Sequence, residues 1–395
     1  MKKVILGTTA LVAASAFVAG SASAADKIKL GVGGYMQSTY FYQSADEPSG
    51  TNRIPDKMTQ EGEIFFTGST TLDNGLKFGA NVQLEAYTSG DQIDETYVFI
   101  EGSFGRVLLG SEDSAGYLMH YTSPSPVPMF SADSANIYPT GQGNTTRPNM
   151  FADKDKITYF TPRFAGFQLG ASYVPDGSAE TGSSGASQYR APQTESGVDR
   201  GWSAAANYVN KFGGVNVAAS AAYQKASVNN SITTVGATYT GAVSTTTGAP
   251  IVAVAATTVA ATEDQSEYSF GASVGFAGFT LGAGYSRDSN LGGVKDNDSK
   301  AWSAGLKYGM GPWAVGVQYS KTTYDQVQRQ GNNLLTNTNT LDEQDTWVIG
   351  GQYTLGPGIT AFGGVQIDDN NLVSSTATRM ADRTSTFFVG TALSF

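Results

Sequence analysis

The chain carries one histidine, no cysteine and 34 acidic side chains, so acid–base or metal chemistry would rest on carboxylates and His120. Hydrolytic catalysis generally joins a histidine to a serine nucleophile and a carboxylate. Ser114 and Ser123 flank His120, but neither stands in the Gly-X-Ser-X-Gly turn that exposes a nucleophile. No glycine-rich phosphate cradle stands between a strand and a helix. His120 therefore reads as a packing or lining residue of a loop, and the chain does not read as an enzyme. No cofactor is expected, except that the runs DNDS (residues 296–299) and DDNN (368–371) offer oxygens for a structural Ca2+.

The remaining charge sits in segments that alternate with a period of two. In LKFGANVQLEA, Leu76, Phe78, Ala80, Val82, Leu84 and Ala86 share one face. Lys77, Gly79, Asn81, Gln83 and Glu85 share the other, which is a strand with one apolar and one polar side. FQLGASY, GVNVAASAAYQ, YSFGASVGF, FTLGAGYS and PWAVGVQYS repeat the pattern. Their polar faces are mostly Gly, Ser, Thr, Gln and Asn. Their apolar faces often begin and end on an aromatic, as with Trp202 and Tyr208, Phe167 and Tyr173, Trp302 and Tyr308, and Phe279 and Tyr285. Two aromatic belts on an outward face suit the two interfaces of a membrane.

The ends of the chain agree with that reading. Residues 1–24 form a short basic start, an apolar run and the small-residue site Ala22-Ser23-Ala24, the pattern of a secretory signal peptide. Cleavage there would leave residues 25–395 as a single domain with 22 basic and 34 acidic residues. Seven tight, Gly-rich turns alternate with eight longer polar loops, which sets sixteen antiparallel strands. Short turns on one rim and long loops on the other is the layout of a transmembrane β-barrel with periplasmic turns and extracellular loops. At that strand number side chains cannot fill the lumen, so a water-filled pore is expected. The last strand, ending at Phe395, should pair with the first, because closure alone removes sheet edges in lipid.

ETYVFIEGSFGRVLLG (95–110) and DKITYFTPRFAGFQLGASYV (155–174) resemble the general, trimeric porins of Gram-negative outer membranes. The resemblance implies a passive channel for small hydrophilic solutes, a homotrimer in outer-membrane lipid, and no nucleic-acid partner. It also implies a terminal Phe395 that serves as an assembly signal for the barrel-assembly machinery. It further implies a third loop, here the stretch after Gly110, folded into the barrel with Glu112, Asp113 and Asp133 facing the pore. The family's arginine wall is altered: Glu63, Ser111 and Thr158 stand where basic residues are common. Lys77, Lys156, Arg106 and Arg147 remain as basic wall candidates. With Glu63 and Glu85 on polar faces the balance favours cations. A substrate-selective porin, or a plugged barrel acting as a surface adhesin or anchor, is the alternative.

Overall fold

The computed structural model describes residues 27–45, 54–87, 92–134, 145–177, 197–229, 231–243, 250–260, 263–324, 328–330, 333–335, 341–372 and 383–395. Residues 1–24, expected from the sequence to be a signal peptide, lie outside them. The first nine strands are β1 (Lys29–Ala45), β2 (Asp56–Thr71), β3 (Lys77–Glu85), β4 (Ile93–Gly102), β5 (Gly105–Ser111), β6 (Asp155–Phe160), β7 (Phe167–Val174), β8 (Gly197–Phe212) and β9 (Val215–Asn229). Next, β10 (Ser231–Val243) and β11 (Pro250–Ala260) form a separate two-stranded sheet. They are followed by β12 (Gln265–Phe276), β13 (Phe279–Ser289), β14 (Ser299–Met310) and β15 (Trp313–Tyr324). A small hairpin, β16 (Gln328–Gln330) and β17 (Asn333–Leu335), precedes β18 (Leu341–Gly356), β19 (Ile359–Leu372) and β20 (Arg383–Ser394).

Sixteen of these strands, all but the two hairpins, close into one barrel in chain order. Each pairs antiparallel with its sequence neighbour, and β1 closes on β20 from Tyr35 opposite Ser394 to Ala45 opposite Thr384. Phe395 completes the seam by exchanging backbone hydrogen bonds with Gly34 at 3.0 and 3.1 Å. All seven tight turns fall where the Gly-rich signals stand. In the turn from β12 to β13, Ala277 and Gly278 both have positive φ, 49° and 89°, the twist that a two-residue hairpin needs.

Alternation decides which side of the wall each residue faces. Leu169, Phe270, Leu281, Val315, Ile349 and Val389 are exposed on the outside, while Ser203, Gln224, Ser269, Gln318 and Gln366 are buried on the inside. Cross-strand aromatic pairs mark two belts. Trp202 with Tyr223 and Trp302 with Tyr319 lie toward the long loops, their ring centres 5.4 and 4.9 Å apart. Phe167 with Tyr208, Phe279 with Tyr308 and Trp313 with Tyr353 lie toward the turns, at 4.6, 4.3 and 4.4 Å.

Two departures concern the long connections. Residues 225–265 read as loop, yet they hold the end of β9 and the β10–β11 hairpin. Residues 325–342 likewise contain β16–β17. The Thr- and Val-rich composition of the first is itself strand-forming once a partner strand lies alongside, and neither segment alternates in the apolar and polar manner that betrays a wall strand.

Candidate functional site

Residues 112–134 and 145–154 fold into the barrel and lie on its inner wall. The entry is a single helical turn, α1 (Ala115–Leu118), capped by Ser114, whose hydroxyl accepts from the Tyr117 amide. Ala115 and Gly116 amides donate to Ser172 on β7 and Ser203 on β8 at 2.8 and 3.0 Å, and Ser114 donates to Gln224 on β9 at 2.9 Å. The Tyr121 amide donates to Ser220 on β9 at 2.8 Å. Further on, Gln318 of β15 donates to Ser123 and accepts from the Ala132 amide at 2.9 and 2.8 Å. Lys307 of β14 donates to the Ser125 carbonyl at 3.0 Å. Apart from Lys307, these wall residues carry hydroxyls and amides, which meet the polar groups of a loop that comes close to the sheet.

The closest approach needs glycine. A Cβ built on Gly271 of β12 would sit 1.7 Å from the Tyr121 carbonyl oxygen, and one on Gly282 of β13 would sit 2.5 Å from that of Thr122. Beyond them the loop ends in an apolar plug. Val127, Phe130 and Ala132 pack with Phe41 of β1, Val348 of β18, Phe362 of β19 and Phe388 of β20, and Phe130 stacks on Phe388 with centroids 3.7 Å apart. Met129 receives a hydrogen bond from Thr39 of β1 at 3.2 Å. The seat thus runs from β6 round to β1.

Asp133 is the loop's internal clamp. Its carboxylate accepts from the Thr122, Thr146 and Ser303 hydroxyls at 2.5, 2.6 and 2.6 Å and from the Thr146 amide at 2.7 Å. His120 joins the clamp, with Nε2 3.2 Å from the Thr146 hydroxyl. That hydroxyl donates to Asp133, so the imidazole is the donor at Nε2. Nδ1 is buried without a partner among the described residues. Burial therefore holds the imidazole down at about 4, against a smaller upward pull from Asp133. At the loop root, burial pushes the carboxyls of Glu112 and Asp113 up.

The remaining arc of the wall, β2 to β4, carries clustered carboxylates. Glu61 and Glu63 of β2 and Glu85 of β3 present carboxylate oxygens within 4.8 Å of one another. The Tyr35 hydroxyl of β1 donates to Glu63 at 2.7 Å, and that of Tyr87 to Glu61 at 3.2 Å. Glu95, Glu112 and Asp113 form a second such group at the loop root. Lys77 and Arg106 flank the Phe99 ring, 5.6 and 4.4 Å from its centre, opposite Glu101 in register. Lys77 lies eight residues from Glu85 on β3, about 26 Å along the strand.

The sequence-derived residues therefore separate into groups. Glu63 and Glu85 come together on the inner wall, with Glu61, which the alternation of EGEIFFT could have revealed. Glu112 is buried, and one of its carboxylate oxygens accepts from the Asp113 amide at 3.0 Å. Asp133 is held by four donors and serves the loop's shape rather than offering an open charge to the pore. Lys156 is buried and donates to the Glu112 and Ala152 carbonyls, tying both ends of the loop to β6. Arg147 stacks over Tyr117 on the loop itself, 4.6 Å from its centre. Of the residues suggested for Ca2+, Asp298 and Asp368 have their carboxylates engaged by protein donors. Asp298 accepts from Arg287 at 2.6 Å and from the Asn290 amide at 3.0 Å, and Asp368 accepts from Gln366 at 2.9 Å and Thr346 at 2.9 Å. Phe41, Phe362 and Phe388 went unread as seat residues because inward aromatics in a polar lumen carry no signal until a loop covers them.

Three solved structures share this architecture. An anion-selective porin from Comamonas acidovorans is 16% identical, with 93% of this chain and 100% of that one covered at a TM-score of 0.57. A porin refined at 1.8 Å resolution is 17% identical over the same shares, with a TM-score of 0.55. OmpT, an outer membrane protein of Vibrio cholerae in a trimer form, is 12% identical over 94% and 100%, with a TM-score of 0.57. At these identities they speak for the fold. A search by sequence among curated proteins finds no match. The model of the Gram-negative porin family matches residues 7–372, nearly the whole chain, and with the closed sixteen-strand barrel and its inward loop the chain belongs to that family of outer-membrane channels.

Proposed function

We propose that this porin is a cation-preferring diffusion channel for small hydrophilic solutes, narrowed by the inward loop segments 112–134 and 145–154. The observation that carries the preference is the convergence of Glu61, Glu63 and Glu85 on the neighbouring strands β2 and β3 of the inner wall. Low-dielectric walls focus the field of such a group into the lumen. The basic pair Lys77 and Arg106 stands about 26 Å away along β3, beyond the roughly 8 Å screening length of physiological salt. It therefore adds little to the field at the acidic level. The anion selectivity named for the Comamonas porin belongs to a chain 16% identical, in which the charges are free to differ. The same reading includes a homotrimer, in line with the trimer form of OmpT, an export signal in residues 1–24, delivery through the barrel-assembly machinery by way of Phe395, and no enzymatic activity.

The test is a planar bilayer with a KCl gradient across it. Stepwise conductance with a reversal potential on the cation side is expected, and Glu63→Arg should move that potential toward zero. An anion-side potential in the unmodified protein would overturn the preference while leaving the channel in place.

A further inference from the structure

The inner wall orders its charges along the pore axis, with the inward loop as the divider. On β3 one strand carries both signs. Glu85 stands at the end toward the long loops and Lys77 at the end toward the turns. The two are about 26 Å apart along the strand, roughly 20 Å along the axis at the usual tilt of such barrels. Other strands repeat the order. On β12, Glu267 lies four residues from Gly271, where the loop touches the wall, on the side of the long loops. On β13, Asp288 lies four residues beyond Gly284 in the same direction, and on β19 Asp368 lies six beyond Phe362.

The bases lie on the other side of the loop. Lys211 is eight residues past the loop contact of Ser203 on β8, and Lys307 is four past that of Ser303 on β14, both toward the turns. Arg106 opens β5 on the same side and stacks on Phe99 at 4.4 Å. Three side chains break the order. Glu101 stands opposite both Lys77 and Arg106 in register. Lys57 lies near the loop end of β2, and Lys156 is buried at the loop root, where it donates to the Glu112 and Ala152 carbonyls. At the rim by the turns, Lys29 and the terminal carboxylate of Phe395 balance in sign.

Each level governs its own stretch of water. At about 0.1 M salt a wall charge reaches about 10 Å, so cations gather at the carboxylates and anions at the bases without the two populations cancelling. With the long-loop side positive, cations leave the carboxylate level and anions leave the basic level, both toward the loop between them. The narrow stretch fills with carriers. With the sign reversed both are drawn away, and the same stretch is depleted. We propose that the channel rectifies, passing more current when its long-loop side is positive, and that the basic level at Lys77 and Arg106 sets this direction. The inference rests on the reading of the lumen as a water-filled channel, and not on the sign of its overall preference.

Single channels in a planar bilayer with equal KCl on both sides test it, read as instantaneous open-channel current so that slower closures do not enter. The chain has no cysteine, so Lys295→Cys, exposed between β13 and β14, can be biotinylated, and streptavidin added to one chamber marks the long-loop side. The ratio of currents at opposite voltages is expected to reach about 1.5 at about 0.1 M KCl and to approach unity at about 1 M, where screening acts within about 3 Å. Lys77→Gln with Arg106→Gln should remove half or more of the excess over unity, with the reversal potential in a KCl gradient still on the cation side. A symmetric curve for the unmodified channel in dilute salt overturns the inference. So does a ratio untouched by the two substitutions, or a larger current with the long-loop side negative. If the double variant does not fold, Lys211→Gln, exposed at the rim, takes its place and should lower the ratio by a smaller step. Rectification with an anion-side reversal potential would support this inference and overturn only the cation preference, whereas absence of stepwise conductance would remove both.

Discussion

At the level of single residues, the channel depends on where side chains are missing as much as on where they are charged. Gly271 lets the Tyr121 carbonyl lie against β12, and an added methyl would have to occupy space 1.7 Å from that oxygen. Gly271→Ala should push the loop off its seat without touching barrel closure. Single-channel conductance is expected to rise and become noisy while the heat-modifiable gel shift stays normal. His120 adds a pH dependence whose sign follows from its burial. Its imidazole titrates at about 4 in the packed loop against about 6.5 when free. The packed state is thus fully favoured above pH 6.5 and loses up to about 3 kcal/mol as pH falls toward 4. Glu112 and Asp113, held up by burial, act in the opposite sense, since protonation relieves their cost. The comparison that isolates the histidine is His120→Gln against wild type. The variant should show a smaller acid-induced rise in conductance and noise between pH 7 and 4.5, and an identical pH response in both would sink the assignment.

Among elements, the inward loop is the one part with its own small core. Phe130 is 1% exposed and lies against Phe388 and Phe362. Removing a buried phenyl ring costs about 3–5 kcal/mol, and here the loss falls on the loop's attachment rather than on the strands. Phe130→Ala is therefore expected to raise conductance and expose residues 121–134 to protease, with the barrel still resistant to detergent. If protease sensitivity did not change, the polar contacts to Ser203, Ser220 and Gln318 would be enough to hold the loop. The strands themselves were readable because lipid on one side and water or loop on the other enforce a strict alternation. The path of the loop was not, since its contacts join residues far apart in sequence, as Gln318 with Ser123, 195 positions away, and Phe130 with the still more distant Phe388, and no local pattern encodes such a pairing.

For the whole molecule, closure is the condition for stability, because an open sheet edge would leave backbone donors and acceptors bare in hydrocarbon. The seam is narrow at Gly34, where a Cβ would lie 2.3 Å from the Glu63 carbonyl oxygen and 3.2 Å from the Phe395 ring. Gly34→Val should strain the junction of β1, β2 and the chain end together. The expected readout is a lower fraction of heat-modifiable, folded protein at 37 °C, with surviving channels of normal conductance. Light scattering on the detergent-purified protein should give three copies per particle, and a monomeric mass would remove the trimer from the proposed function.

The order of strands, the seven turns, the closing of the last strand on the first and the outward aromatic belts are all legible in the amino-acid chain, because each follows from neighbours in sequence meeting an anisotropic solvent. The pore is different. Glu61, Glu63 and Glu85 converge through alternation and the β2–β3 register, but that Asp133 is spent on a clamp, and that Phe41, Phe362 and Phe388 receive Phe130, depend on a loop crossing the lumen. Those contacts form between residues brought together by the barrel's circumference, so they arise from closure and carry no periodic trace along the chain.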